Sequence, residues 1–153
     1  MEKRGYRKGI FFVVYRKNKG KIEYLILNRK KHWKGWEFPK AGIKTWERAK
    51  KKAAVLRELK EEAGGCKAMK IIDMKSRGKY KYDHKMADRP WIGQTYALFA
   101  VETRCAGKVR IDKHEHSNYK WLEFNKAIKI LTWPNQRKCL RLVNKKIKKK
   151  GKE

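Results

Sequence analysis

Residues Arg57 to Gly65 read RELKEEAGG, and they close a stretch from Thr45 to Ala63 that carries Ala, Leu, Lys, Arg and Glu with no Gly or Pro inside. That composition predicts a helix stopped by Gly64-Gly65, because a glycine just past the last turn takes the left-handed conformation without steric cost. At about 100° per residue, with Glu58 as zero, Glu62 falls at about 40° and Glu61 at about 300°, so three carboxylates share one face. Leu56, Leu59, Ala53 and Ala63 are expected toward the opposite side. Like charges this close raise one another's pKa, and the best compensators are divalent cations with oxygen ligands. The plainer alternative is an exposed helix whose glutamates pair with Lys50, Lys51 and Lys60 at helical spacing.

The full string and its surroundings bear on that choice. RELKEEAGG resembles the REUXEEXGU half of the Nudix box, and Phe38-Pro39-Lys40-Ala41-Gly42-Ile43 resembles the strand and loop that precede it. The register upstream of Arg57 admits two readings. If Phe38-Pro39-Lys40 sets it, Ala41 stands where a Gly is usual, Glu47 takes the acid position, and nine residues instead of seven separate Glu47 from Arg57. Counted back from Arg57, the acid position falls on Ala49, and Gly65 fills a slot that is usually aliphatic. The resemblance implies an α+β fold, an α/β/α sandwich with a mixed sheet and a helix carrying the box glutamates. It also implies hydrolysis of a nucleoside diphosphate linked to another group, with Mg²⁺ or Mn²⁺ as cofactor. Glu58, Glu61 and Glu62 would be the ligand and base cluster, the Ala41 carbonyl a further ligand, and Arg57 the group that orients the glutamates. Such an ion neutralises pyrophosphate charge and lowers the pKa of the attacking water.

Features outside the box are similar to the asymmetric diadenosine tetraphosphate hydrolases and the RNA 5′-pyrophosphohydrolases. They are Gly9-Ile10-Phe11-Phe12, His32-Trp33 shortly before Pro39-Lys40, and His114-Glu115-His116 leading to Tyr119-Lys120-Trp121-Leu122. This likeness implies a metal or general-base role for Glu115 and a phosphate contact for Lys40. His32 and His114 are candidate hydrogen-bond donors to phosphate, each equally readable as a surface histidine without a role. Tyr80, Tyr82 and Trp133 are the candidate exposed rings, and the resemblance implies that one central ring and one C-terminal ring sandwich a base. Tyr82 and Trp133 read equally as core cover, to which Trp36, Trp91 and Trp121 are assigned.

Around this centre, residues 9 to 16 and 21 to 29 are β-branched and aromatic and flank Asn18-Lys19-Gly20, which predicts an opening hairpin. Further strands are expected around 69 to 76, 79 to 84, 92 to 103 and 118 to 124. Two C-terminal helices follow from Ala127, Ile128 and Leu131 and then Leu140, Val143 and Ile147, with Pro134 at a first helical position. One domain over 1–144 is expected, with 145–153 fraying as a basic tail.

The chain has 153 residues, 41% hydrophobic, and 44 Lys plus Arg against 15 Asp plus Glu, a formal net charge of +29. Solubility alone calls for a magnitude of roughly 2 to 8, so a polyanionic partner, nucleotide or RNA, is expected. No apolar run approaches the roughly 18 residues that cross a bilayer, so no membrane partner is expected. Cys66, Cys105 and Cys139 are odd in number, far apart and without a CxxC pair, so they read as reduced thiols in a cytoplasmic monomer. The main reading is a metal-dependent pyrophosphohydrolase acting on a dinucleoside polyphosphate or on the 5′ end of RNA. The alternative is a non-catalytic or weakly catalytic domain of the same fold recruited to bind RNA or the ribosome.

Overall fold

A computed structural model describes residues 5–31, 33–82 and 90–151. The opening hairpin is present, with β1 (Tyr6–Asn18) and β2 (Lys21–Arg29) pairing antiparallel from Tyr15↔Tyr24 to Asn18↔Lys21. Toward its start β1 leaves β2. Over Gly9–Phe11 its antiparallel partner is β4 (Lys40–Gly42), which follows the short β3 (Gly35–Glu37). A glycine is required at position 9, since a Cβ there would lie 2.1 Å from Gln94 Nε2 and 2.7 Å from the Ala41 carbonyl.

The other side of β1 runs parallel to β6 (Gly93–Arg110), and β6 is antiparallel to β5 (Gly64–Lys81). Strand β7 (His116–Leu122) pairs β2, so the described residues form one mixed sheet of order β3-β2-β1-β6-β5 with β4 and β7 off that path. The strands expected at 69 to 76 and from 79 are one strand as far as Lys81, kept continuous against β6 by register shifts between Ala68 and Lys70 and between Asp73 and Arg77. Positions 83 and 84 of the expected strand lie outside the described residues.

Alternation along β1 divides the core. Ile10, Phe12 and Val14 pack with Ala54, Val55, Leu59 and Ala63, on the side of α1 (Lys51–Glu62). Phe11, Val13 and Tyr15 pack with Ala127, Leu131, Leu140, Val143 and Ile147, on the side of α2 (Phe124–Ile130) and α3 (Pro134–Gly151). Helices cover both faces, which is the expected α/β/α sandwich.

Several expectations are corrected. The helix begins at Lys51 and not at Thr45, because Thr45–Glu47 is a 3-10 turn in which the Glu47 side chain accepts the Lys44 N–H at 2.9 Å. Leu56 is 49% exposed. The buried arc of α1 is centred on Val55, Leu59 and Glu62, and Leu56 falls beyond its edge. Trp91 is exposed, since it precedes the first paired residue of β6, whereas Trp36 and Trp121 do pack against the two halves of the core. Residues 145–151 are helical, with Ile147 buried, where a frayed tail was expected. Cys66 and Cys105 are opposite one another across β5 and β6 and form a disulfide, which overturns the reading of three reduced thiols; only Cys139 is free, and it is buried. No helix among the described residues is long and apolar enough to cross a membrane.

Candidate active site

Arg57 sits one turn before the end of α1 and turns back onto the preceding loop. Its Nε donates to Glu47 Oε2 at 2.8 Å and its NH2 nitrogen donates to Glu47 Oε1 at 2.9 Å, a bidentate pair on a carboxylate with no solvent exposure. Arg57 also donates to Glu58 and, at 3.4 Å, to the Gly42 carbonyl. The register question is therefore answered by geometry: Glu47 is the acid that meets Arg57, and the two extra residues lie in the turn before Lys51. The Arg57 hydrogen bond holds the Glu47 carboxyl below its ordinary range.

The three glutamates of α1 share a face but differ in depth. Glu61 is 55% exposed and lies 3.8 Å from Arg57, Glu58 is largely covered, and Glu62 is 2% exposed. Burial, assisted by the Glu61 and Glu62 charges and opposed by Arg57, pushes the Glu58 carboxyl up to about 7. Burial also pushes Glu62 up, with the His116 contact opposing and Glu115 adding to the rise.

Glu62 meets a buried network that the linear sequence conceals. His116, at the start of β7, places Nδ1 3.0 Å from Glu62 Oε2 and Nε2 3.0 Å from Glu37 Oε2. Glu37, at the end of β3, also accepts from Trp33 Nε1 at 3.0 Å and from Arg29 at 3.4 Å and lies 3.4 Å from Lys40 Nζ. Burial alone would raise the Glu37 carboxyl, but Lys40, His116, Arg29 and Trp33 together hold it down to about 2. Burial alone would lower the His116 imidazole, and the two carboxylates raise it to about 9. The close approach of His116 to Glu62 is out of line for a hydrogen bond, so Glu62 Oε2 is a buried oxygen without a hydrogen-bond partner among the described residues.

That orphaned oxygen tests the fit of a cation. Glu62, Glu115 and His116 each bring a ligand atom within 4.8 Å of the others. Arg29 steadies Glu115 at 3.6 Å. A small cleft of about 80 Å³ brings Glu58, Glu115 and Ala41 together with Arg7, Arg29 and Lys40. Oxygen donors of this kind suit Mg²⁺ or Mn²⁺, and the residues present fit such an ion.

A second, apolar cavity of about 320 Å³ adjoins this cleft. Tyr82 and Trp133 line it, and Trp33, Lys40 and Tyr80 form a wall common to both spaces. Lys40 Nζ stands 4.3 Å from the Trp33 ring centre and 5.5 Å from that of Tyr80. The turn bearing Trp133 is fixed to β3, with Thr132 Oγ1 accepting the Trp36 N–H at 2.9 Å and Gln136 Oε1 accepting the Phe38 N–H at 2.8 Å.

The structure thus gathers Glu58, Glu115, Ala41 and Lys40 at one cleft, with Glu62 buried beside Glu115, and Tyr82 and Trp133 at its neighbour, with Arg57 behind. His114 is exposed, and its backbone N–H donates to Asp112 Oδ1 at 2.9 Å. His32 lies outside the described residues. Sequence reasoning missed Glu37, Arg29 and His116. The available signal was Glu37 itself, an acid between Trp36 and Phe38 in an acid-poor chain, which is improbable unless it is paired.

Comparison with known proteins matches residues 5–143 to the NUDIX domain. An RNA pyrophosphohydrolase of a Nitratiruptor species is 32% identical over 138 residues, covering 87% of this chain and 88% of the relative. An asymmetrical bis(5′-nucleosyl)-tetraphosphatase of Caenorhabditis elegans is 31% identical over 133 residues, covering 84% of this chain and 88% of the relative. Among solved structures, a C. elegans Ap4A hydrolase binary complex has a TM-score of 0.72 at 26% identity and covers 92% of this chain and 97% of its own. The NUDIX domain of Shewanella oneidensis NrtR complexed with ADP ribose has a TM-score of 0.72 at 12% identity, covers 94% of this chain and 90% of its own, and shares the fold.

Proposed function

The chain belongs to the NUDIX family, and from that premise we propose that it hydrolyses a phosphoanhydride bond of a nucleoside 5′-polyphosphate whose far side is a second nucleoside or an RNA chain. One observation carries this reading: an aromatic cavity of nucleobase size shares the wall of Trp33, Lys40 and Tyr80 with a carboxylate cleft. A base between Tyr82 and Trp133 sends its phosphates past Lys40 toward Glu58, Glu62 and Glu115. The two named enzymes among the relatives support a substrate of this class.

Glu58, Glu62, Glu115 and the Ala41 carbonyl would hold Mg²⁺ or Mn²⁺, with Glu61 at the solvent edge. When bound, the ion neutralises phosphate charge and acidifies the attacking water. Lys40 offsets charge on the phosphate that crosses the shared wall. Glu115, held by Arg29, is placed to accept the proton of that water. Arg57 and His116 are positioning residues: the first ties Glu58 to the loop ending at Glu47, and the second holds Glu62 between the helix and Glu37. The recruited-binder alternative draws on the +29 charge, the basic C-terminus and the irregular spacing before Arg57, and the Arg57–Glu47 pair weighs against the last of these.

The test is product analysis after incubation with diadenosine tetraphosphate and, separately, 5′-triphosphorylated RNA, with each ion. Cleavage of at least one substrate is expected. Trp133→Ala should raise KM by roughly 5- to 150-fold, the equivalent of about 1 to 3 kcal/mol of stacking, with kcat little changed. Intact substrates with both ions, or an unchanged KM, would contradict the reading.

A further inference from the structure

Helix α3 reads PNQRKCLRLVNKKIKKKG and contains no acid. Its buried side is Cys139, Leu140, Val143 and Ile147. Its exposed side carries Lys138, Arg141, Lys145, Lys148 and Lys149, which at about 100° per residue fall within an arc about 100° wide and about 16 Å long. Like charges three and four residues apart destabilise an isolated helix, and this helix offers no acid to relieve them. The chain's acids are concentrated elsewhere: six of its 15, Glu37, Glu47, Glu58, Glu61, Glu62 and Glu115, stand at the active site.

The stripe also begins at the site. Trp133, Pro134, Asn135 and Gln136 wall the aromatic cavity, and Lys138 is two residues further along the same helix. We propose that the outer face of α3 is a docking surface for the sugar-phosphate backbone of single-stranded RNA whose 5′ end occupies the cleft. This rests on the nucleoside polyphosphate reading and names the longer of its two substrate classes. Phosphate contacts of this kind position a strand without reading its bases. A dinucleotide leaves no phosphates for the stripe, because all of its phosphates lie between its two nucleosides. An acidic bilayer is a poorer match: the apolar side of α3 is spent on the core, and Leu142 alone of its large apolar side chains is exposed, so the helix has no apolar face to insert.

The experiment measures binding of a 5′-hydroxyl RNA of about 20 nucleotides by fluorescence anisotropy across salt concentrations, so that no hydrolysis is required. Wild type is compared with a variant carrying Gln at positions 138, 141, 145, 148 and 149, and with a control carrying Gln at the exposed Lys21, Lys52, Lys67, Lys70 and Lys108. At about 0.7 per phosphate contact on a single strand, the α3 variant should lose about 3.5 from the log–log salt slope. Its affinity should fall at least tenfold while the control stays near wild type. Should the fivefold variant not fold, Arg141→Gln with Lys145→Gln should lose about 1.4 from the slope. In turnover, kcat/KM for 5′-triphosphorylated RNA should fall with the affinity while that for diadenosine tetraphosphate does not. Equal losses in variant and control, wild-type binding by the α3 variant, or equally strong competition by polyglutamate or anionic vesicles at matched charge would each overturn the proposal. RNA affinity lost in the α3 variant, with no enzyme form cleaving either substrate, would uphold the docking surface and sink the hydrolase reading instead.

Discussion

Glu62 presents an oxygen to the protein interior that no described hydrogen bond satisfies. The His116 imidazole, raised to about 9, meets its charge at 3.0 Å without completing a hydrogen bond. Glu62→Gln keeps the shape and removes the charge of an ion ligand, so kcat should fall by at least the roughly 10- to 100-fold that loss of a ligand's own partner costs. The melting temperature, read by circular dichroism, should not fall with it; parallel losses would mean a structural role only. Glu58 supplies a pH prediction. Its carboxyl titrates at about 7 because it is buried beside two other glutamates, and an ion binds the ionised form, so affinity should rise with pH and level off above that value. Calorimetric titration with Mn²⁺ should give binding about tenfold weaker at about pH 6 than at about pH 8, with a proton released on binding; equal affinities would contradict ion binding linked to Glu58 ionisation in that range. The spacing of these glutamates is visible in the sequence because helical geometry is local. His116 and Glu37 are 79 residues apart and meet only through the pairing of β2 with both β3 and β7, so neither could be placed from the chain alone.

The element that orders the cleft is the loop from Lys40 to Glu47, clasped by Arg57. Because Glu47 is fully buried, removing it takes from a largely covered guanidinium its bidentate partner, leaving Glu58 and the exposed Glu61. Glu47→Ala should therefore destabilise the fold by about 3 kcal/mol, measured by urea unfolding. A loss within about 0.5 kcal/mol, as for an exposed pair, would show that the clasp is not structural. The sequence left the acid position of the box undecided between Glu47 and Ala49, an insertion or a lost acid, since counting residues cannot say where a turn absorbs an insertion. The start of α1 was misplaced for the same reason: Thr45–Glu47 has helix-like composition, but the Glu47 carboxylate is engaged by the Lys44 N–H and by Arg57. Strand β1 was legible because a run of β-branched and aromatic residues beside a turn marks a strand, and its seven consecutive buried residues show that both of its faces are covered.

For the molecule as a whole, net charge is readable from composition but its distribution is not. Folding sets Glu58 and Glu115 in the cleft with Glu37, Glu47, Glu61 and Glu62 around or behind it, and leaves α3 without an acid, so a strongly basic protein contains an acidic cluster. The Cys66–Cys105 bond also belongs to this scale, joining residues 39 apart across β5 and β6. Replacing both with Ser should lower stability by about 3 to 4 kcal/mol through the freed chain entropy of the unfolded state, read by urea unfolding under oxidising conditions. Identical curves for variant and wild type would show that the bond adds nothing. The pairing was hidden in the sequence because it depends on the register of two long strands.

The most direct test of the central claim is single-turnover cleavage of a nucleoside 5′-polyphosphate by wild type and Glu62→Gln, each with and without Mg²⁺ or Mn²⁺. Product should form with wild type only when the ion is present, and Glu62→Gln should bind the substrate yet form product more slowly by about a hundredfold or more, as for a weakened ion site. Ion-independent product, or equal rates in the two proteins, would contradict the assignment of the carboxylate cleft as the catalytic centre.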